Sequence, residues 1–234
     1  MKAIFNREYD AYFNSMLGYV FLTIFLLLTG VMFFLANLAS TSASMTSFFN
    51  QINLWSIFLL PILTMRMFAE DKKLKTDQLL LTAPISVTEM VLGKFFAAMG
   101  VFLTGAAVTL FYPITLNFFG SVPFGETVSC YVGFILLCSS IIAIGGFMSS
   151  LTESQIVAAI STYGILIITV FLGSLASSVS NTYISNLLVW LSPVQRFSDF
   201  TMGILDLESI IYYISLTGLF LFLTVTVFEK RRFK

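Results

Sequence analysis

The sequence predicts an all-α integral membrane protein, and three observations lead to that prediction. Of the 234 residues, 58% are hydrophobic and only 10% are charged, against about 25% charged residues in soluble domains. The mean hydropathy is +0.94. A bilayer core needs about 20 apolar residues per helix, and the chain has six long apolar runs, at 17–38, 52–68, 91–118, 128–149, 156–178 and 209–228. We therefore expect six spans in one domain, 1–234.

The segment 1–16, before the first span, has the pattern of an amphipathic helix. Its large apolar residues recur at helical spacing: Phe5, Tyr9, Tyr12, Phe13 and Met16. Arg7, Glu8 and Asp10 fall between them. A helix with one apolar and one charged face lies in the plane of the membrane interface. We expect an interfacial helix here, with a simple extension of the first span as the alternative.

The positions of lysine and arginine predict which ends of the spans face the cytoplasm. Short cytoplasmic loops are enriched in these residues, and an even number of spans puts both termini on one side. With the N-terminus inside, the cytoplasmic cations are Lys2, Arg7, Arg66, Lys72, Lys73, Lys75, Lys94, Lys230, Arg231, Arg232 and Lys234. Only Arg196 then lies outside. We therefore expect both termini in the cytoplasm.

Charges of both signs gather between the second and third spans, in the stretch PILTMRMFAEDKKLKTDQLLLTAPIS at 61–86. Glu70 with Lys73, and Asp71 with Lys75, have the i,i+3 and i,i+4 spacings of helical ion pairs. A solvated loop with topogenic lysines is the alternative, but it leaves the interleaved acids and the adjoining leucines unexplained. We expect a short amphipathic helix under the membrane that docks on a soluble partner.

Capping sequences predict where other helices begin. SVTE at 86–89 and TESQ at 152–155 are capping boxes before the third and fifth spans. SPVQ at 192–195 combines a cap residue with proline at the first helical position. The region 179–208 lacks a complete span, so we expect one or two short re-entrant helices there, packed against protein. Asp206 is expected to cap the last span.

Composition also argues against several classes of function. The chain has no histidine, the commonest nitrogen ligand of metals and the commonest general base. Its net charge of zero gives no sign of nucleic-acid binding. Cys130 and Cys138 lie about 12 Å apart along one helix, too far for a mutual disulfide. We predict no catalytic, cofactor-binding or metal-binding residue in this chain.

ATP binding by the usual phosphate loop is also not expected. That loop needs a glycine-rich turn ending in Gly-Lys-Ser/Thr. The sequence has one Gly-Lys pair, Gly93-Lys94, and it continues into Phe95 inside an apolar run. Thr88 stands where the first glycine should be.

Several of these stretches resemble one protein family. LTMRMFAEDKKLKTDQLLLTAPIS and the following VLGKFFAAMGVFLTGAAVTLFYP are similar to the permease subunit of type-2 ABC transporters, nearest to the gliding-motility-associated permeases. The resemblance extends to REYDAYFNSMLGYVFLTIFLLLTG, to the late segment beginning LSPVQRF, and to the basic tail EKRRFK. It covers most of the chain, and 61–94 is its most specific part.

The resemblance implies a six-helix permease in the bacterial plasma membrane that acts as an exporter. It implies an interfacial helix over 1–16, a cytoplasmic coupling helix over 69–83 and an extracellular re-entrant region over 179–208. The expected partners are a separate ATPase subunit, which binds ATP and Mg²⁺, and a second permease, identical or homologous. The residues expected to dock on the ATPase are Arg66, Glu70, Asp71, Lys72, Lys73, Lys75, Thr76, Asp77, Ser149, Ser150, Thr152 and Glu153.

Three other functions stay open. An ion-driven secondary transporter needs charges within the membrane, but Glu126 and Glu153 lie in predicted loops, and Arg66, at a helix end, can snorkel or pair with Glu70. A membrane enzyme needs clustered catalytic groups, and the outer acids Asp199, Asp206 and Glu208 suit helix capping better. A non-transporting anchor that transmits force is the third alternative.

The substrate is not identified by the sequence. The polar side chains within the apolar runs are scattered: Asn37, Asn53, Thr64, Asn117 and Ser161. Each is as well explained by interhelical packing. An apolar path bordered by aromatic residues favours a lipid-linked, amphipathic or hydrophobic cargo.

Overall fold

The computed structural model describes residues 1–76, 86–118, 120, 122–176 and 182–232. Within these ranges the regular structure is helical, without a strand. The helices in chain order are α1 (Lys2–Asn14), α2 (Leu17–Phe33, continued by a π-helical segment, Phe34–Leu38), α3 (Thr46–Thr64), α4 (Arg66–Lys73), α5 (Val87–Thr109), α6 (Phe111–Asn117), α7 (Phe124–Leu151), α8 (Gln155–Ala176), α9 (Thr182–Leu191), α10 (Pro193–Thr201) and α11 (Leu207–Arg232).

Six of the described helical segments are long and apolar enough to cross a membrane, which confirms the predicted fold class. They are Leu17–Leu38, Thr46–Lys73, Val87–Asn117, Phe124–Leu151, Gln155–Ala176 and Leu207–Arg231. Each overlaps one of the six predicted runs. The second begins six residues before the predicted run at 52–68, because the helix also includes the more polar turn from Thr46 to Gln51. The chain is a multi-pass membrane protein.

Helix α7, the fourth span, lies at the centre of the bundle. It packs against α3, α8, α10 and α11. In its most apolar 18-residue stretch 72% is buried inside the protein, against 28% in the first and fifth spans and 17% in the sixth. Those three outer spans therefore present wide apolar faces to lipid or to another chain.

Small residues let the central helices approach closely. A Cβ atom at Gly145 of α7 would collide with the side chain of Thr64 at the end of α3. A Cβ atom at Gly133 would likewise collide with the ring of Phe200 in α10. Close contact through glycine is the usual way in which membrane helices gain van der Waals packing. The two glycines therefore fix α3 and α10 against the central span.

The third span bends where α5 ends and α6 begins. Pro113 has no backbone N–H and cannot bond the carbonyl four residues earlier, that of Thr109. The Tyr131 hydroxyl of α7 donates a hydrogen bond to this carbonyl over 2.8 Å. A carbonyl without a partner is costly inside a membrane, so Tyr131 compensates for the proline and anchors the bend to the central span.

Two of the three predicted capping sequences cap their helices as expected, whereas α8 begins at Gln155, three residues after the predicted cap Thr152. The Ser86 hydroxyl accepts from Glu89 N at the start of α5, and the Ser192 hydroxyl accepts from Gln195 N at the start of α10. Asp206 Oδ1 accepts from Glu208 N at 3.3 Å, which confirms its capping role. Thr152 Oγ1 accepts from Ser154 N at 3.1 Å, just before α8. Helix α1 lies within the predicted segment 1–16, and α9 and α10 lie within 179–208.

Candidate functional site

The charged stretch forms helix α4, which follows α3 almost without a break. It begins at Arg66, three residues before the predicted start at 69, and ends at Lys73. Lys75 has a left-handed backbone with φ of 56°, which turns the chain away from the helix axis. The Thr76 hydroxyl donates to Asp71 Oδ1 over 2.9 Å and secures this turn. The remainder of the predicted helix, 77–83, lies outside the described residues.

Ser149 fastens α4 to the end of the central span. Its hydroxyl oxygen accepts hydrogen bonds from Phe68 N and Ala69 N, both at 3.0 Å, and the hydroxyl donates to Met65 O over 3.1 Å. The first backbone N–H groups of any helix lack partners within the helix. One buried serine therefore supplies acceptors for two of these groups in α4 and joins the α3–α4 junction to α7.

Lys72 makes a second link between the same two elements. Its ammonium donates to Ser150 O and lies 5.6 Å from the ring centroid of Phe228 in α11. Only 4% of Lys72 is exposed. This lysine thus belongs to the contact between α4, α7 and α11, and cannot form part of a solvent-facing surface.

Lys94 is a buried charge that joins three elements. Its ammonium lies 2.5 Å from Asp71 Oδ2 in α4 and 3.0 Å from Glu8 Oε2 in α1, and it donates to Met67 O over 3.0 Å. The side chain is 2% exposed. The ammonium is thus paired with two carboxylates and also donates a hydrogen bond to a backbone carbonyl. A buried charge that is fully paired holds its surroundings in one arrangement.

Arg66 makes a parallel connection at the other side of α4. It pairs with Glu70 one turn later and donates to Ala11 O over 3.3 Å and to the Ser15 hydroxyl. Its guanidinium carbon lies 6.0 Å from the ring centroid of Tyr12. These contacts fix the C-terminal end of α1 against the start of α4.

Tyr12 completes the contact between α1 and the second span. Its hydroxyl donates to Leu63 O over 3.2 Å. Burial raises the pKa of Tyr12 above its usual range, with the nearby Glu8 carboxylate acting in the same direction. The phenol therefore stays neutral and remains a donor throughout the physiological pH range.

A cavity of about 290 Å³ lies within this charged cluster. Its lining includes three cations and three anions: Arg7, Arg66 and Lys94, with Glu8, Glu70 and Asp71. Because opposite charges are present in equal number and pair with one another, the cluster serves to hold α1, α4 and α5 together. Among the described residues, no group of three or more His, Cys, Asp or Glu side chains could hold a metal ion.

An exposed surface remains beside this cluster, which we call the docking face. It consists of Lys73, Leu74, Lys75, Leu151 and Glu153, all exposed. Within the described part of the chain, Lys73 and Lys75 make no ion pair. Ser149 and Lys72 hold the two segments of this face next to each other. Two connections that are at least 76 residues apart in sequence thus form one mixed-charge, partly apolar surface.

The residues expected to dock on a partner are divided by the structure into distinct groups. Lys72, Ser149 and Ser150 are buried, whereas Arg66, Glu70, Asp71, Thr76 and Thr152 are half-buried. Lys73, Lys75 and Glu153 are exposed, and Asp77 lies outside the described residues. Contact of any of them with a partner stays a prediction.

The expected ion pairs within α4 are wrong. Glu70 pairs with Arg66 instead of Lys73, and Asp71 pairs with Lys94 instead of Lys75. Both carboxylates face the protein, because the half-buried Arg66 of α4 and the buried Lys94 of α5 are less hydrated and therefore stronger partners than lysines in water. The possible pairing of Arg66 with Glu70 is confirmed.

The role of Lys94 and Glu8 was missed by reasoning from the sequence. Lys94 was interpreted as an orienting cation at the end of a span, and Glu8 as part of a polar helix face. One signal was available: a single lysine inside the apolar run VLGKFFAAMG, where an ionisable residue needs a partner. The sequence did not reveal which of its carboxylates would supply that partner.

No known family model matches the chain, and no curated protein matches its sequence. Its function is therefore inferred from the residues and their geometry.

Proposed function

We propose that the chain is the membrane-spanning permease subunit of an ABC exporter in the bacterial plasma membrane. In this proposal both termini are cytoplasmic, and the docking face binds a separate ATPase subunit that holds ATP and Mg²⁺. The chain itself moves the substrate and hydrolyses nothing. The resemblance of 61–94 to permeases of type-2 ABC transporters first suggested this function.

The observation that supports it most is the attachment of the docking face to the membrane bundle. Ser149 and Lys72 connect α4 to the central span, and Lys94 connects α4 to the third span and to α1. Movement of a soluble subunit bound to Lys73, Lys75 and Glu153 would therefore act directly on three membrane elements. A solvated loop would need none of these buried links.

The outer spans fit a second permease subunit. The first, fifth and sixth spans are largely exposed in the single chain, with large apolar side chains such as Leu27, Phe171 and Phe222 on their surfaces. Lipid can cover such faces, and a second apolar chain can do so equally well. An interface between two permeases would enclose a path between the two chains.

Ion-coupled transport is the second candidate, and Lys94 is the observation that favours it. A lysine with two carboxylates inside a membrane protein is typical of proton relays. Here, however, Lys94 is paired with both carboxylates and donates to Met67 O, and it lies about two turns from the start of α5. These contacts hold α1, α4 and α5 together, which fits a structural role for Lys94 better.

The proposal is tested by purifying the protein from its own membranes in mild detergent and identifying the chains that accompany it by mass spectrometry. We expect a stoichiometric ATP-binding subunit, and ATPase activity in the purified complex. A preparation without an ATP-binding chain under several gentle conditions, combined with proton-driven uptake in vesicles, would favour the ion-coupled candidate.

A further inference from the structure

A second cavity, of about 640 Å³, lies between the third and fourth spans. Its volume is within the range of about 300 to 1,000 Å³ that is common for ligand sites. One wall extends from Leu110 to Asn117, the part of the third span that contains Pro113. The other wall is formed by the first turns of α7, from Phe124 to Ile135. The cavity therefore lies at the end of α7 that is opposite to α4.

The depth of the cavity in the membrane follows from the length of α7. This helix has 28 residues and is therefore about 42 Å long, which matches a bilayer with its headgroup regions, about 40 to 45 Å. Its last turn contacts the charged helix α4, which marks one membrane surface. Phe124, the first residue of α7, then lies at the level of the opposite headgroups. Ile135 lies about 16 Å further along the helix, within the hydrocarbon of that leaflet.

The lining of the cavity is uncharged and becomes more apolar with depth. Eight of its eleven residues are apolar, and the other three are Asn117, Thr127 and Tyr131. Asn117 and Thr127 lie in the turns nearest the headgroups, whereas Tyr131 lies deeper. A ligand with a charged group inside the cavity would find no counter-charge there, and burying that charge would be costly. The lining therefore suits an apolar ligand.

Water is a poor occupant for this space. A water molecule inside a protein needs two to four polar partners. Thr127 Oγ1 donates its proton to Pro123 O over 3.0 Å, and the Tyr131 hydroxyl donates to Thr109 O over 2.8 Å. The two buried polar groups of the lining are thus already bonded to the backbone. An empty cavity would forfeit dispersion contacts along its walls, and a hydrocarbon chain would restore them without needing a hydrogen-bond partner.

The cavity is accessible from the lipid-facing surface of the bundle. Ile114 and Val128, one on each wall, are exposed, whereas Val132 and Ile135 are half-buried and Tyr131 is buried. The lining residues belong to the third and fourth spans and the connection between them. Because both spans cross the membrane, lipid chains surround the exposed edge of the cavity. The molecules that can enter it from the side are therefore those of this leaflet.

From these observations we propose that the cavity binds one hydrocarbon chain of a membrane lipid, in the leaflet opposite α4. The headgroup of this lipid lies at the level of Asn117, and the chain extends toward Ile135. Since no charged residue lines the cavity, binding depends on the chain and not on the headgroup. The lipid fills the space between α7 and the part of the third span beyond its bend. This inference goes beyond the proposed function and does not depend on it.

The test counts the lipid molecules that the purified full-length protein retains when it leaves a nanodisc. The discs contain equal amounts of phosphatidylcholine and phosphatidylglycerol, both with palmitoyl and oleoyl chains. Native mass spectrometry releases the intact protein and identifies the lipids that stay bound. We expect a retained lipid that is lost when the cavity is filled, and we expect both headgroups in that lost population in proportion to the disc.

Two variants fill the cavity, one from each wall. Ile114→Trp and Val128→Trp each place a bulky ring in the space of the lipid chain. Their matched controls are Ile168→Trp and Val157→Trp, at exposed positions of α8 that do not line the cavity. Ile114 is 55% exposed and Ile168 is 59% exposed, so neither change disturbs the core. We expect each cavity variant to retain the lipid about tenfold less than its control.

The inference is overturned if the cavity variants retain as much lipid as their controls. It is also overturned if the lost lipid is phosphatidylglycerol alone, because that would show recognition of a headgroup. A protein that is released as a dimer, and that loses its partner in both cavity variants, would assign this face to a second copy instead. If one cavity variant does not fold, the other decides. Because no ATPase takes part in the measurement, the exporter proposal stands or fails separately.

Discussion

Lys94 Nζ of the third span lies 2.5 Å from Asp71 Oδ2 of α4. The same ammonium lies 3.0 Å from Glu8 Oε2 of α1, so one buried cation connects α4 to both α1 and α5. This arrangement makes α1, α4 and the start of α5 a single mechanical unit. Several consequences can be measured.

Replacing Lys94 by methionine should destabilise the protein strongly. The change leaves Glu8 and Asp71 without their shared cation. We expect a loss toward the lower end of the roughly 3 to 5 kcal/mol that removal of one partner of a buried ion pair costs, because both carboxylates retain some water contact. Thermal unfolding in detergent measures the effect. Lys73→Met, at an exposed lysine of the same α4, is the control, and equal stability of the two variants would contradict the role of Lys94.

Replacing Ser149 by alanine should loosen α4 from the central span. The change removes the acceptor of Phe68 N and Ala69 N, and unpaired buried donors cost about 1 to 3 kcal/mol. Ser150→Ala is a matched control, because the Ser150 hydroxyl bonds only Phe147 O within its own helix. Protease sensitivity near residue 74 should rise in Ser149→Ala and stay unchanged in Ser150→Ala.

Reversing exposed charge on the docking face should uncouple the ATPase without unfolding the permease. The variant is Lys73→Glu with Lys75→Glu, and it leaves Lys72 intact because Lys72 is buried against Ser150. We expect substrate-stimulated ATPase activity to fall about tenfold, equivalent to about 1.4 kcal/mol. Lys2→Glu, at another exposed lysine, is the control. Full coupling in the double variant would show that the ATPase docks elsewhere.

Replacing Tyr131 by phenylalanine should weaken the bend in the third span. The variant loses the hydroxyl that donates to Thr109 O. This carbonyl cannot bond Pro113, which has no N–H, so it loses the donor that α7 supplied. We expect a loss of about 1 to 2 kcal/mol in unfolding free energy. Tyr19→Phe serves as control, because Tyr19 is 58% exposed. If both variants unfold at the same temperature, the bend does not depend on Tyr131.

Cysteine labelling should establish the orientation in the membrane. Thr41→Cys, at an exposed position between the first and second spans, should react with an impermeant thiol reagent added outside intact cells. Lys73→Cys should not react. Thr41 is preferable to Ser44, whose hydroxyl donates to Glu126. The native cysteines, Cys130 and Cys138, are buried. Labelling of the Lys73→Cys variant alone would indicate the opposite orientation in the membrane.

The fold was largely predictable because its signals are local. Membrane spans follow from runs of apolar residues, and the starts at Ser86 and Ser192 follow from side chains that bond their own helix. The bend at Pro113 could be anticipated from its missing N–H, but not its partner Tyr131, which lies in another span.

The site was predictable only in outline, because its contacts join distant parts of the chain. Helical spacing suggested lysine partners for Glu70 and Asp71 within α4. Tertiary packing instead brings Arg66 and Lys94 to these carboxylates. The attraction between opposite charges is stronger in a partly buried pair than in a pair surrounded by water. Asn53, Ser174 and Gln195 also look scattered in sequence, and only the packing of α3, α8 and α10 brings them to one cavity of about 370 Å³.

The docking of α4 on an ATPase is tested most directly by a photo-crosslinking amino acid at Leu74, which is 63% exposed on the docking face. The same group at Leu205, 51% exposed at the other end of the bundle, is the control. After irradiation of intact cells, we predict an adduct of the Leu74 variant with a separate ATP-binding chain, lost when Lys73 and Lys75 are reversed in charge. Irradiation that yields no ATP-binding adduct at Leu74, or yields the same one at Leu205, would contradict the proposed coupling.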